Sequence, residues 1–431
     1  MEKTELKIGR ISWRWGIGAA VAVMLVSLFP QAHFIANRGR QWNGANAITH
    51  PDEVAYSAYA AAQIRGYPRR YDPYTHRGDQ SETGSESLFS IQFVPAYTVA
   101  LPARWLGLSA STAFMILPAL CALASSLAIF WFVWLLARDE RFSSAAVLVV
   151  LGFGTLIAGQ GMARHILNLN YLIPLWISNL VSPTSLYSLP FLRLYQPAVA
   201  FPLFFVFCAM VWLALTSATR RRAIIVAVGA GFVFGLLVFS YFYLWTAAAA
   251  WLVCLCAVWL PARKSERQRA VTVFGVIFVL GAIALVPYYR MLSHRAATVD
   301  AAQALVFTHQ PDLLRLPEIV ALVVLILIGL GIRRGAIRVG EPVVLIILAF
   351  GLTVFIVFNQ QIITGRSLQP IHYEWFIANY CALIALVLTA ELWWRSGKRT
   401  GLTNKRLTIV AVAGLAFAFG ESWLAASVSW D

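Results

Sequence analysis

The chain has 431 residues, of which 60% are hydrophobic and only 12% charged, whereas soluble proteins carry about 25% charged residues. That excludes an ordinary soluble globular domain: the apolar content suffices for about eleven membrane helices of ~20 residues and leaves little for a separate soluble unit. The 34 Lys and Arg against 19 Asp and Glu would suggest nucleic acid in a soluble chain, but in a membrane chain they first set loop topology. Nucleic acid is the poorer reading.

At the start of the chain Lys3, Lys7, Arg10 and Arg14 precede an apolar run over 15–35. It is too long for a signal-peptide core and lacks a small-residue cleavage site, so it reads as a signal anchor with the N-terminus inside. Further apolar runs predict spans at 110–136, 143–160, 197–215, 223–241, 243–260, 270–289, 317–332, 341–358, 375–394 and 407–425, making eleven. Segments 89–106 (with Pro95, Pro102 and Arg104) and 171–190 (with Pro174, Pro183 and Pro190) are read as interfacial or re-entrant helices. The expectation is an all-α polytopic protein with one membrane domain over 1–431. Cys121, Cys208, Cys254, Cys256 and Cys381 all fall in apolar runs and read as packing residues rather than a disulfide framework or zinc cluster.

With these spans, the connections carrying Arg138, Arg220, Arg263, Arg333 and Arg395 fall on the cytoplasmic side, as the positive-inside rule asks. The C-terminus is then extracytoplasmic. Four segments lie outside: 36–88, 161–196, 290–316 and 359–374. Their basic residues are all arginine, while Lys3, Lys7, Lys264, Lys398 and Lys405 are all inside. Arginine's fork of donors matches phosphate oxygens and keeps its charge in a partly dry site, so the set suggests a phosphate-bearing substrate at the outer leaflet. For any single arginine, snorkelling to headgroups explains as much. All seven histidines also fall outside, none with metal-ligand spacing.

The first outer segment reads His50-Pro51-Asp52-Glu53, then Val54-Ala55-Tyr56, Tyr59, and Ile64-Arg65-Gly66-Tyr67. Pro51 suits the first turn of a helix and Asp52 and Glu53 its positive end. Ordinary capping accounts for such a pair; a carboxylate held at the membrane surface can also act as general base towards a hydroxyl, and a divalent cation is compatible with it.

A basic stub, one anchor and an outer loop with this PDE-Y-A-I-R-G pattern resemble the GT-C superfamily of membrane glycosyltransferases, in the manner of protein mannosyltransferases and aminoarabinose transferases. The likeness extends over 10–260 as an N-terminal module with its outer loop at 36–88, followed by C-terminal helices over 261–431. It implies a polyprenyl-phosphate-linked sugar donor and an essential acid near the start of the first outer loop, which falls on Asp52, with Glu53 as neighbour or substitute. The family's frequent second acid after the third span is missing. Arg164 and His165 stand there instead and are read as phosphate ligands.

Two later stretches are dense in hydrogen-bonding groups. Gln361, Arg366, His372 and Glu374 lie between two apolar spans, with Arg366 read as anion clamp and His372 with Glu374 as an orienting pair; Arg193, Tyr195 and Gln196 sit where another span begins. Ser240 to Trp245 reads as an interfacial aromatic belt. Together these residues suggest a multi-pass inner-membrane enzyme of the cell envelope. It would move a sugar from the lipid carrier to a glycan, lipid or protein acceptor on the outer face, by an inverting displacement with Asp52 as base. The rivals are a polysaccharide polymerase or ligase using lipid-diphosphate-linked glycans, and a lipid or solute transporter. Scarcity of mid-span charge counts against transport.

Overall fold

The computed structural model describes residues 11–76, 85–163, 189–193, 195–302, 305–396 and 404–427. Among these the chain is an all-α, multi-pass membrane protein. Nine helical segments are long and apolar enough to cross a bilayer, and a tenth apolar helix is shorter, at Ala200–Leu215. The predicted segment 171–190 and the residues Arg164 and His165 lie outside the described residues, Leu189 and Pro190 excepted.

Three of the long helices start at a side-chain cap: Ser109, Asp139 and Thr219. α1 (Arg14–Arg38) leads to a loop and to α2 (Asp52–Ile64), whose first turn carries its two acids. After a single turn at Leu88–Ile91 comes α3 (Phe93–Trp105), then α4 (Ala110–Ala137), begun by the Ser109 hydroxyl accepting the Thr112 N–H at 3.1 Å. α5 (Glu140–Gly152) is capped by Asp139, and α6 (Ala200–Leu215), α7 (Arg220–Val238), α8 (Phe242–Ala262) and α9 (Arg267–Ser293) follow. α10 (Leu316–Arg333) and α11 (Pro342–Asn359) each have proline in the first turn, which needs no N–H donor there. A last pair, α12 (Asn379–Ser396) and α13 (Asn404–Ser427), completes the chain.

Segment 89–106 is broken at Gln92, and the 13 residues of α3 extend about 20 Å at ~1.5 Å per residue, short of a ~30 Å hydrocarbon core. α3 packs against α2 instead. Segment 143–160, predicted as one continuous span, is interrupted: α5 ends at Gly152 and only a single turn, Gly154–Ile157, follows. The break lies where the segment packs against the last two helices. Gly152 touches the backbone of α13 and Gly154 the ring of Tyr380, while the Asn379 amide donates to the Gly154 carbonyl at 2.9 Å. Before α12, a turn at Pro370–Tyr373 runs into a π-bulge over Glu374–Ala378.

Hydrogen bonds sort the connections into two ends. At one end, Ser144 Oγ donates to the Trp15 carbonyl at 3.0 Å, Arg263 to Gly340 at 2.9 Å and Arg269 to Ser217 at 2.7 Å. Arg395 donates to the Ala137 carbonyl there. These are the short basic connections. At the other end the long segments bind one another: Ser111 to the Gly44 carbonyl at 2.7 Å, Val94 N–H to Phe239 at 3.1 Å and Glu86 N–H to His294 at 2.9 Å. A two-residue antiparallel pair, β1 (Val306–Phe307) with β2 (Arg366–Ser367), lies there too. The core between the ends is aromatic and aliphatic, with Trp251, Trp259 and Phe204 fully buried. The five cysteines are free, and all but Cys256 are buried.

Candidate functional site

The start of α2 separates its two acids. Glu53 turns back into the protein, where its carboxylate accepts the Thr49 N–H at 3.0 Å and the Thr49 hydroxyl at 3.2 Å. Asp52 points the other way and forms an ion pair with Nη2 of Arg193, which also donates to the Tyr56 hydroxyl at 3.3 Å. The two ends of this pair differ in environment: the Arg193 side chain is 5% exposed and that of Asp52 50%. Burying a guanidinium needs compensation, and one half-exposed carboxylate supplies only part of it. A further part comes from the Phe376 ring, whose centroid lies 5.1 Å from the Arg193 guanidinium carbon. Nε and Nη1 of Arg193 have no hydrogen-bond partner among the described residues.

His50 borders this pair. Its Nδ1 accepts the Asp52 backbone N–H at 3.2 Å and lies 3.6 Å from the Asp52 carboxylate. An Nδ1 that accepts leaves the ring proton on Nε2, the neutral tautomer. Burial first, and then the nearby Arg193 cation, push the His50 pKa down to about 4 against the opposing pull of Asp52. His50 is therefore neutral at pH 7.

On the far side of Arg193 stand Tyr241 and His372. The Tyr241 hydroxyl is 3.4 Å from His372 Nδ1, and the His372 ring packs on Tyr243 (4.7 Å between centroids) and on Phe376 (5.7 Å). The Phe376 ring thus neighbours both the arginine and the histidine. Burial raises the pKa of Tyr241 and of Tyr56 despite the neighbouring Arg193, so both phenols keep their protons at neutral pH. Tyr195 forms a wall, 4.7 Å from the Tyr56 ring, with a buried hydroxyl that lacks a partner among the described residues. Tyr195 at φ 29° and Gln369 at φ 26° are both non-glycine residues in the left-handed region, and both border the cluster.

Other residues singled out in the sequence are placed elsewhere. The Gln196 amide is buried and donates to Gln92 Oε1 at 3.0 Å and to the Ser240 carbonyl at 3.1 Å, tying together the starts of α3 and α6 and the α7–α8 turn. Glu374 does not face His372; it pairs with Arg315 at 2.6 Å, and Arg315 also holds Asp312 at 2.7 Å. Gln361 donates to the Gln310 carbonyl at 3.1 Å. Arg366 lies over Phe307 at 5.8 Å on the β1–β2 pair rather than in the Arg193 cluster. Among the described residues no group of three His, Cys, Asp or Glu side chains converges as a metal site; His50 with Asp52 is the pair available to a cation.

Sequence reading missed His50, Tyr241 and Phe376 as members of the site, and Glu86 as a buried clamp. His50 adjoins Asp52 and could have been found from that spacing. Tyr241 and Phe376 carry no signal beyond aromatic residues at span ends. Glu86 is 1% exposed and receives both Nη atoms of Arg69 at 2.7 Å, Nε of Arg70 at 2.9 Å and the Ser90 hydroxyl at 2.6 Å. Burial acts to raise its pKa, but Arg69, Ser90 and Arg70 outweigh burial and hold it below the usual carboxylate value.

Taken together, the cluster offers a buried cation with open donors, a half-exposed carboxylate, two imidazoles and two protonated phenols. It can bind an anion and polar hydroxyl groups side by side. No family model matches the chain, and no curated protein matches it either.

Proposed function

We propose that the chain is an inner-membrane glycosyltransferase of GT-C type, with eleven crossings, a cytoplasmic N-terminus and an extracytoplasmic site. It moves a sugar from a polyprenyl-phosphate carrier to an acceptor on that face. The observation that carries this reading is the Asp52–Arg193 pair, in which a buried guanidinium keeps two nitrogens open among the described residues while its carboxylate partner reaches solvent.

In the proposed reaction the donor phosphate takes the open donors of Arg193 and competes with Asp52 for the rest. Asp52, released from its ion pair, accepts the proton of the acceptor hydroxyl. The acceptor oxygen bonds to the anomeric carbon as the bond from that carbon to the phosphate oxygen breaks. The electron pair leaves with the lipid phosphate, whose charge Arg193 stabilises, and the sugar is inverted. In this scheme His50, His372 and Tyr241 orient sugar hydroxyls. A divalent cation near His50 and Asp52 is compatible with this scheme and is not required by it. The polymerase or ligase alternative would draw on the later outer loops, whose Arg315, Glu374 and Gln361 are engaged with one another or with backbone.

The reading is tested by comparing binding of polyprenyl phosphate and polyprenyl alcohol to the full chain. Wild type should prefer the phosphate by about tenfold or more, the scale of a charge-assisted hydrogen bond. Arg193→Gln should abolish the preference and Arg193→Lys keep part of it. Equal affinity for the two lipids in wild type would refute the reading.

A further inference from the structure

At the opposite end of the bundle α5 and α13 form a wedge. They meet at a pair of glycines: a Cβ added at Gly152 would lie 2.2 Å from the Gly414 carbonyl oxygen, and one at Gly414 would lie 2.5 Å from that of Leu148. Helices in backbone contact at one level diverge away from it when they cross at an angle. Between the crossing and the basic end they leave a groove of about 390 Å³, with Trp15 of α1 as its third wall. That volume lies within the range of small-molecule sites, about 300–1,000 Å³.

The groove is amphipathic along its length. Arg141, Asn404 and Thr408 stand at the mouth, and Leu148, Val412 and Leu415 line the deeper part. The Arg141 guanidinium carbon lies 5.4 Å from the Trp15 ring centroid, and Arg141 has no carboxylate partner among the described residues. The acids nearby are spent on backbone: Asp139 accepts the Phe142 N–H at 2.9 Å and Glu140 the Ser12 N–H at 2.5 Å. Exposed Lys405 and Arg406 follow Asn404 in α13. A cationic mouth over an apolar floor, on the flank of a membrane helix bundle, complements an amphiphile with an anionic head. Basic pockets between transmembrane helices are where such headgroups bind.

We propose that this groove holds an anionic glycerophospholipid of the leaflet at the basic end, its phosphate against Arg141 and Asn404 and an acyl chain along Leu148, Val412 and Leu415. The lipid staples α13 to α1 and α5. The site is independent of the Asp52–Arg193 cluster and of any activity assigned to it.

The test uses the full chain extracted from vesicles of equimolar phosphatidylcholine and phosphatidylglycerol, with retained lipid read by native mass spectrometry. Wild type should retain phosphatidylglycerol over phosphatidylcholine by about tenfold, the scale of one charge-assisted hydrogen bond. Arg141→Gln should lose the preference, Ala411→Trp should lose the lipid, and Arg222→Gln, in a different basic connection, should change neither. Arg141 is exposed, so its substitution leaves the fold intact and decides the matter even where Ala411→Trp fails to fold. No preference in wild type, a preference that survives Arg141→Gln, or equal loss in Arg222→Gln overturns the proposal; the last outcome would mark diffuse attraction.

Discussion

Asp52 and Arg193 stand 141 residues apart in the chain and form an ion pair whose cation is buried and whose anion is half exposed. This asymmetry makes the two substitutions unequal. Removing the Asp52 charge leaves a buried guanidinium without its counter-ion, whereas removing Arg193 leaves a carboxylate that water can solvate. Arg193→Met should therefore cost less stability than Asp52→Leu, by about 1 kcal/mol or more, measured as melting temperature in one detergent. Equal losses would show that the exposed partner is worth as much as the buried one.

Acid should weaken the site before it affects the rest of the outer loops. The His50 pKa falls from 6.5 to about 4 on folding, so the unfolded chain takes up the proton first. The stability that His50 contributes is complete above pH ~6.5, declines as pH falls toward ~4 and is exhausted below that; at pH ~5 its loss is about 2 kcal/mol. His50→Gln should lessen the fall of melting temperature between pH 7 and 5. An unchanged slope would mean that another group titrates there.

Glu86 anchors the first outer segment at lower pH. Its pKa is held below the ordinary value of 4.5, so the stability it contributes is present above that pH and is lost only as pH falls through the lowered value. Glu86→Gln leaves Arg69 and Arg70 without their shared carboxylate and should cost about 3 kcal/mol. Faster hydrogen exchange over residues 85–96 would report it, with α13 unaffected. Exchange unchanged there would deny Glu86 its anchoring role.

The glycine crossing of α5 and α13 has a geometric prediction. Gly414→Ala must push the helices apart and should cost about 1–3 kcal/mol, the usual penalty of overpacking. Gly275→Ala in α9 meets nothing within 4 Å and should leave melting unchanged or raise it slightly. Similar behaviour of the two variants would contradict the packing described.

Arg315 and Glu374 distinguish the proposed reaction from a ligase that uses the later loops. Arg315→Gln should lower melting temperature, because it strands a fully buried Glu374 carboxylate, while transfer per folded molecule changes less than about threefold, ~0.7 kcal/mol. A larger loss of transfer per folded molecule would favour the ligase.

Much of the helical layout was legible because a run of ~20 apolar residues has few alternatives in a bilayer. The break at Phe153 was not legible, since it depends on Gly152 meeting a helix more than 250 residues further along the chain. The neighbourhood of Asp52 and Arg193 could be suspected from residue type, because an acid and lone arginines on one face seek each other. Which arginine reaches the acid is a matter of packing: Arg193 does, while Arg366 is held on the β1–β2 pair and Glu374 is claimed by Arg315. Tyr241 and Phe376 gave no sign in sequence, because an aromatic residue at a span end is as suited to the interface as to a site.

Sugar transfer by the full chain in proteoliposomes, from a labelled polyprenyl-phosphate sugar, tests the central claim most directly when wild type is compared with Asp52→Asn. The expected result is a fall in transfer of about 10²–10⁴-fold, the range of a general base, with polyprenyl phosphate still bound through Arg193. Transfer by Asp52→Asn at the wild-type rate would contradict the assignment of Asp52 as the base.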